Sequence, residues 1–161
     1  MITWGISANS HDAALAVFTD DGLEFASHSE RFSGVKNDAH LNKELIDYAK
    51  QWGEPDEVVW YEKPGLKTLR QLRAGQGFGY WQKNNIKTYL KNYGIDCPIY
   101  YSGHHRSHAA GGYYTSGLSA ATIMVVDSMG EFDTLTIWDA VDTTLKCIYK
   151  QTYPHSIGLW Y

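Results

Sequence analysis

The stretches Ile2-Thr-Trp-Gly-Ile-Ser7, Ala13-Ala-Leu-Ala-Val-Phe-Thr19 and Leu23-Glu-Phe-Ala-Ser-His-Ser29 decide the fold. Each is short, apolar or alternating, and bounded by small polar residues, which predicts three consecutive β-strands. Asp20-Asp-Gly22 has the composition of a tight hairpin turn between the second and third strands. Ala8-Asn-Ser-His-Asp12 then lies at the tip of the first hairpin, with His11 and Asp12 projecting from it. Successive backbone N–H groups there could cradle a phosphate. A turn built from Asn, Ser and Asp for conformational reasons alone accounts for the same composition.

Working outward, Glu30-Arg-Phe-Ser-Gly-Val-Lys-Asn-Asp38 is a charged segment whose Arg31 and Lys36 could meet an anionic substrate or remain solvated. Asp38 or Asn42 can cap the next helix, whose apolar stripe is Leu41, Leu45, Ile46, Tyr48 and Ala49 and which Gly53 ends. Glu57 to Glu62 reads as a strand closed by Pro64-Gly65. Leu66, Leu69 and Leu72 predict one face of a helix. After a Gly-rich break, Gly75-x-Gly-x-Gly79, a second helix is expected from about Trp81 to Tyr93, with Trp81, Ile86, Tyr89, Leu90 and Tyr93 as a packing stripe. The glycines do not follow a strand, so they do not make a nucleotide loop.

Pro98 to Ser102 is a short strand leading into Gly103-His-His-Arg-Ser-His108-Ala-Ala-Gly-Gly112. His104 and His108 are four apart, so a helix puts both imidazoles on one face, where they can converge on one metal ion. Ordinary helix-surface histidines are the alternative. The small residues Ala109 to Gly112 allow close backbone approach. Ala120-Ala-Thr-Ile-Met-Val-Val-Asp127 has the pattern of a strand buried on both faces. It ends in Asp127, at the edge where α/β sheets place ligands. Ser128-Met-Gly130-Glu131 makes the turn, and two more strands follow, Asp133 to Asp139 and Leu145 to Thr152. Pro154 to Tyr161 reads as the opening of a helix with Ser156 as its cap, so either a fragment or a short protein with a partner is expected.

At 161 residues, 43% apolar and 20% charged, the chain has the size and composition of one globular domain. Its net charge of -4 gives no footprint for nucleic acid. Two separated cysteines, Cys97 and Cys147, do not make a disulfide scaffold and suit a reducing cytoplasm. No apolar run approaches the ~20 residues that cross a bilayer, and the first residues lack the pattern of a signal peptide.

The element order is three strands, helix, strand, helices, strand, helix and three strands. By analogy this α/β arrangement matches one half of the actin-like ATPase (ASKHA) architecture of sugar kinases and heat-shock chaperones, with the strands after Asp127 starting the second half. In that architecture two halves clamp a nucleotide, and each opens with a phosphate-gripping hairpin.

The motifs Gly5-Ile6 with His11-Asp12-Ala13-Ala14, Ser29 to Asp38, His104 to Ala110, Val125 to Glu131, and Pro154 to Gly158 occur together in order. In this the chain resembles the carbamoyltransferase family of antibiotic and Nod-factor O-carbamoylating enzymes, namely its N-terminal domain, which is similar to the tRNA-threonylcarbamoylating (TsaD-like) proteins. The resemblance implies a divalent metal, iron above all, on His104, His108 and Asp127, in contact with ATP. It implies nucleotide contacts from Ser128, Gly130, Glu131 and His155, although the family commonly has glycine where this chain has Ser128. A further aspartate ligand of the family comes from beyond Tyr161.

The implied reaction moves a carbamoyl group from carbamoyl phosphate, through a carbamoyl adenylate, to an acceptor hydroxyl. His11 or His105 would take the acceptor's proton and Asp12 would orient the base. A YrdC-like domain makes the adenylate in the family and none lies in these 161 residues. The isolated chain is therefore expected not to turn over without a second polypeptide or further chain. Threonylcarbamoyl transfer to tRNA, and a non-catalytic nucleotide-binding module, are the other readings.

Overall fold

The computed structural model describes residues 1–75 and 84–161, a mixed α/β arrangement of two sheets with helices packed against them. The first sheet has the order β3-β2-β1-β4-β5, from β1 (Thr3–Ser7), β2 (Ala14–Thr19), β3 (Gly22–His28), β4 (Glu57–Trp60) and β5 (Ile99–Tyr101). The opening hairpins are antiparallel, with Trp4 opposite Val17 and Ala16 opposite Ala26. β4 and β5 add in parallel beside β1, because helical connections return the chain to the same edge. Period-two burial along β1, β2 and β4 turns Trp4, Ile6, Leu15, Val17, Val58 and Trp60 to one face. Fully burying each such side chain contributes about 1.5–3 kcal/mol.

Helices cover that face. A four-residue helix, α1 (Glu30–Ser33), ends at Gly34 in the left-handed region. In α2 (Lys43–Ala49), Asn42 supplies the predicted cap by accepting the N–H of Leu45 at 2.8 Å, and Leu45 and Ile46 enter the core. α4 (Ile86–Lys91) contributes Ile86 and Leu90. It is shorter than the helix expected from Trp81, because Asn85 caps it there by accepting the N–H of Thr88. The part of that expectation before residue 84, and Gly77 and Gly79 of the glycine run, lie outside the described residues.

Between them, α3 (Pro64–Arg73) corrects the expected orientation of its leucines. Pro64 opens this helix and does not simply close the preceding strand. Its buried residues are Lys67, Thr68 and Gln71, whereas Leu66, Leu69 and Leu72 are exposed. The polar face goes inward because it finds partners there. Lys67 meets Glu62 at 2.6 Å, and Asn84 donates to both Thr68 and Gln71 at 2.7 and 2.8 Å.

The second sheet is an antiparallel meander of β6 (Ala120–Gly130), β7 (Asp133–Val141) and β8 (Thr144–Thr152). It starts at β6, not after Asp127. β6 is an edge strand with one covered face: Val125 is buried, while Met124 and Val126 are exposed. A continuous apolar run hides this alternation from sequence reading. The covered face packs Val125 and Trp138 against Ala109 of α5 (His104–Tyr114). Among the described residues nothing lies within 4 Å of a Cβ at Gly111 or Gly112 on α5, so the expected close backbone approach is not made to any of them. Residues after Thr152 form turns, not a helix, although Ser156 does accept the N–H of Leu159 at 3.1 Å. Among the described residues no helix is long and apolar enough to cross a membrane.

Candidate metal centre

Helix α5 begins where β5 ends, so its first turn projects over the carboxyl edge of the first sheet. The Ser107 hydroxyl fixes it there by donating to the Tyr61 carbonyl at 2.8 Å. The spacing of four then brings Nε2 of His108 to 3.1 Å from Nε2 of His104. From the second sheet, Asp127 places Oδ2 at 2.9 Å from the same His104 nitrogen. The three ligand atoms lie within 4.8 Å of one another. Ligand atoms about 2.0–2.1 Å from one ion sit roughly 3 Å apart at its corners, which the 3.1 and 2.9 Å separations match, while the widest separation would close on binding. A single proton on His104 Nε2 cannot satisfy both the carboxylate and the His108 nitrogen, whereas a cation satisfies all three.

The electrostatics favour the ligating forms. The hydrogen bond from His104 holds the Asp127 carboxyl far below the ordinary carboxylate range. Burial, then the neighbouring His104, lowers the affinity of His108 for a proton, leaving the neutral imidazole that metals need.

The Asp127 backbone is clamped from the chain's end. Ser156 Oγ donates to the Ser128 carbonyl at 2.7 Å, and a Cβ on Gly158 would lie 2.4 Å from the Asp127 carbonyl. The Ser128 N–H donates to Asp127 Oδ1 at 2.6 Å, orienting the other oxygen toward the histidines. Ser128 is exposed there, and so is His155, whose carbonyl accepts from Thr134 Oγ1 at 2.5 Å.

Two residues expected to contact nucleotide make close contacts within the chain. Glu131 is buried, and its carboxylate accepts the N–H of Lys63 at 2.6 Å and faces the N–H of His104. It therefore satisfies the open first turn of α5, whose cap residue Gly103 has no side chain to do so. Gly130 is where α5 presses on the second sheet: a Cβ would come within 2.3 Å of His104 Cδ2 and 2.8 Å of His105 Cδ2. Its backbone is a spacer for the histidines.

His105, expected as a candidate base, lies in the packing between α5 and the second sheet. It is only 2% exposed, between α5 and β7, with Nδ1 2.9 Å from Thr136 Oγ1.

The first hairpin's tip flanks the centre. His11 is exposed and its Nδ1 lies 2.9 Å from Asp12 Oδ2. Asn37 donates to the other Asp12 oxygen at 2.8 Å. Asn9, Asp12 and Asn37 all have positive φ, at 64°, 51° and 56°. Short Asn and Asp side chains tolerate this conformation better than others do. The charge of His11 is close enough to disfavour protonation of His108. Arg31 is exposed and 3.6 Å from Glu30, and Lys36 is exposed beside Asn37. No contact among the described residues brings either cation onto the metal centre.

Sequence reasoning missed Glu62 and Tyr61. Glu62 is buried, with Oε1 on the Lys67 ammonium and Oε2 3.9 Å from His104 Nδ1, a buried nitrogen without a hydrogen-bond partner. The Tyr61 ring packs 5.5 Å from the His104 ring, and burial pushes its hydroxyl pKa well above the usual value. The readable signal was their place at the carboxyl end of a parallel strand.

A family model described as the carbamoyltransferase N-terminus matches residues 3–161. The chain belongs to this carbamoyltransferase family. An uncharacterized protein of Synechocystis sp. is 30% identical to it over 98% of this chain. The chain spans 30% of that relative's length. Membership supports carbamoyl transfer in general as the chemistry of the family to which this centre belongs.

Proposed function

We propose that the chain carries the metal and acceptor-activating part of an ATP-dependent O-carbamoyltransferase that uses carbamoyl phosphate through a carbamoyl adenylate. The observation that carries this reading is the convergence of His104, His108 and Asp127 where the mixed first sheet meets the antiparallel second one. The same junction supports an actin-like half-clamp, in which the first hairpin tip and the β6–β7 turn face a nucleotide. Ser128 and His155 are the exposed groups beside Asp127 for that nucleotide. Lys36 and Arg31 are cations available to an anionic donor.

A divalent ion on the three ligands, iron by resemblance, would supply Lewis-acid polarisation and hold phosphate. The chain's own residues do the rest. Asp12 accepts from Nδ1–H of His11, which leaves Nε2 as the basic nitrogen. That nitrogen takes the proton of the acceptor hydroxyl as its oxygen bonds to the carbamoyl carbon. The anhydride C–O bond breaks and AMP leaves with the electron pair. Glu62, Glu131 and Gly130 position His104 and touch no reactant.

Isothermal titration of the chelator-treated chain with Mn²⁺ or Zn²⁺, and with Fe²⁺ under argon, tests the metal. Saturable one-site binding that is lost in His108→Ala supports the reading, and unchanged binding in that variant sinks it. Mass spectrometry of acceptor incubated with the whole protein distinguishes O-carbamoyl from threonylcarbamoyl product.

A further inference from the structure

A histidine that binds a cation through Nε2 has a requirement at its other nitrogen. The neutral ring carries one proton, so that proton must sit on Nδ1, as a donor in need of an acceptor. Nδ1 of His104 is buried and has no hydrogen-bond partner among the described residues. The carboxylate oxygen that faces it is Oε2 of Glu62, at 3.9 Å. We infer that Glu62 is a positioning residue for the metal. It accepts the Nδ1–H of His104, holds the ring with Nε2 toward the cation, and strengthens that nitrogen as a ligand. The inference rests on the function proposed above.

Burial gives the contact its weight. The side chains of His104 and Glu62 are 17% and 6% exposed, so water competes poorly for either group. His108, by contrast, is exposed, and its ring can be hydrated. Lys67 holds the far oxygen of Glu62, Oε1, at 2.6 Å and is itself 9% exposed. The ammonium supplies a counter-charge and fixes the plane of the carboxylate, which leaves Oε2 as an acceptor directed at the ring. The 3.9 Å separation is longer than a hydrogen bond, and a movement of about 1 Å closes it. Hydrogen bonds around a reactive group commonly tighten once its partner is bound.

The other neighbours of His104 act elsewhere on it. Glu131 takes its backbone N–H. Gly130 bounds the Cδ2 edge of the ring, and the Tyr61 ring packs beside it with centroids 5.5 Å apart. Glu62 reaches the remaining Nδ1 edge from the carboxyl end of β4, two residues past Trp60.

The test compares Zn²⁺ titration calorimetry and urea melts of three chelator-treated proteins: wild type, Glu62→Met/Lys67→Met and Glu62→Gln/Lys67→Met. Both double variants remove the ammonium together with its partner, so neither strands a charge. Only the glutamine one keeps an acceptor for Nδ1–H. The melts should place the methionine pair close to wild type, while its Zn²⁺ affinity falls roughly 10–100-fold. The glutamine pair should regain part of that affinity. A spectroscopic signature separates this from a structural effect. In Zn²⁺-loaded, ¹⁵N-histidine-labelled wild type, one imidazole N–H proton should lie at low field, and it should move upfield in the methionine pair. Wild-type affinity in the methionine pair, equal affinity in the two pairs, or an N–H proton that does not move would overturn the role of Glu62. One-site Zn²⁺ binding by wild type in any of those outcomes leaves the metal reading standing, whereas a wild type that binds no Zn²⁺ sinks both.

Discussion

Nε2 of His104 stands 2.9 Å from Oδ2 of Asp127, and this contact joins the first turn of α5 to the bulged end of β6. Removing the charge while keeping the shape tests what that contact is for. Asp127→Asn keeps a hydrogen-bond acceptor beside His104 but loses an anionic ligand. Mn²⁺ affinity is expected to fall at least as far as the roughly 10–100-fold seen when a ligand's orienting partner is removed. Titration calorimetry measures it, and an unchanged affinity would show that Asp127 is no ligand.

Gly130 separates two explanations for its place in the turn. If its backbone served a nucleotide, adding a methyl would leave the metal alone. The structure instead puts that methyl 2.3 Å from His104 Cδ2, so Gly130→Ala should displace the imidazole. An overpacking cost of about 1–3 kcal/mol in urea denaturation is expected, with weakened Mn²⁺ binding. Gly111→Ala is the internal control: it lies mid-helix with nothing within 4 Å, and should stabilise the chain by about 0.5–1 kcal/mol.

The pair Glu62–Lys67 is buried on both sides, with side chains 6% and 9% exposed. Glu62→Met strands the ammonium, which typically costs about 3–5 kcal/mol. Adding Lys67→Met removes the stranded charge, so the double variant should recover most of that loss. Urea melts of the two variants decide this, and a double variant less stable than the single one would contradict it.

That pair also marks where sequence reading stops. β1 to β5, the Asn42 cap and the two histidines four apart were legible, because each follows from local periodicity or spacing. The outward turn of Leu66, Leu69 and Leu72 was not, because hydrophobic period alone orients a helix by its apolar stripe. Here the opposite face finds Glu62 and Asn84, and that pairing is visible only in three dimensions. The partners of Glu131 were hidden for a similar reason. A glutamate after Gly130 has the pattern of a ligand-binding turn, while its partners, the N–H groups of Lys63 and His104, are 68 and 27 residues distant in sequence. β6 was misplaced because an unbroken apolar run conceals which of its faces is covered.

His105 supplies a prediction about pH. Burial depresses its affinity for a proton below that of an ordinary imidazole at 6.5. The unfolded chain therefore binds this proton more readily than the folded one. The contribution of the neutral ring, whose Nδ1 bonds with Thr136, is fully present above about pH 6.5 and declines as pH falls below it. Glutamine keeps a polar side chain at the site but cannot titrate. In urea denaturation with chelator present, the stability difference between wild type and His105→Gln should narrow as pH falls from 7.5 to 5.5. His108 shifts in the same direction, but it is common to both proteins, so the difference isolates His105. A difference that stays constant across that range would mean the imidazole titrates alike in the folded and unfolded chain, and the burial argument would be wrong.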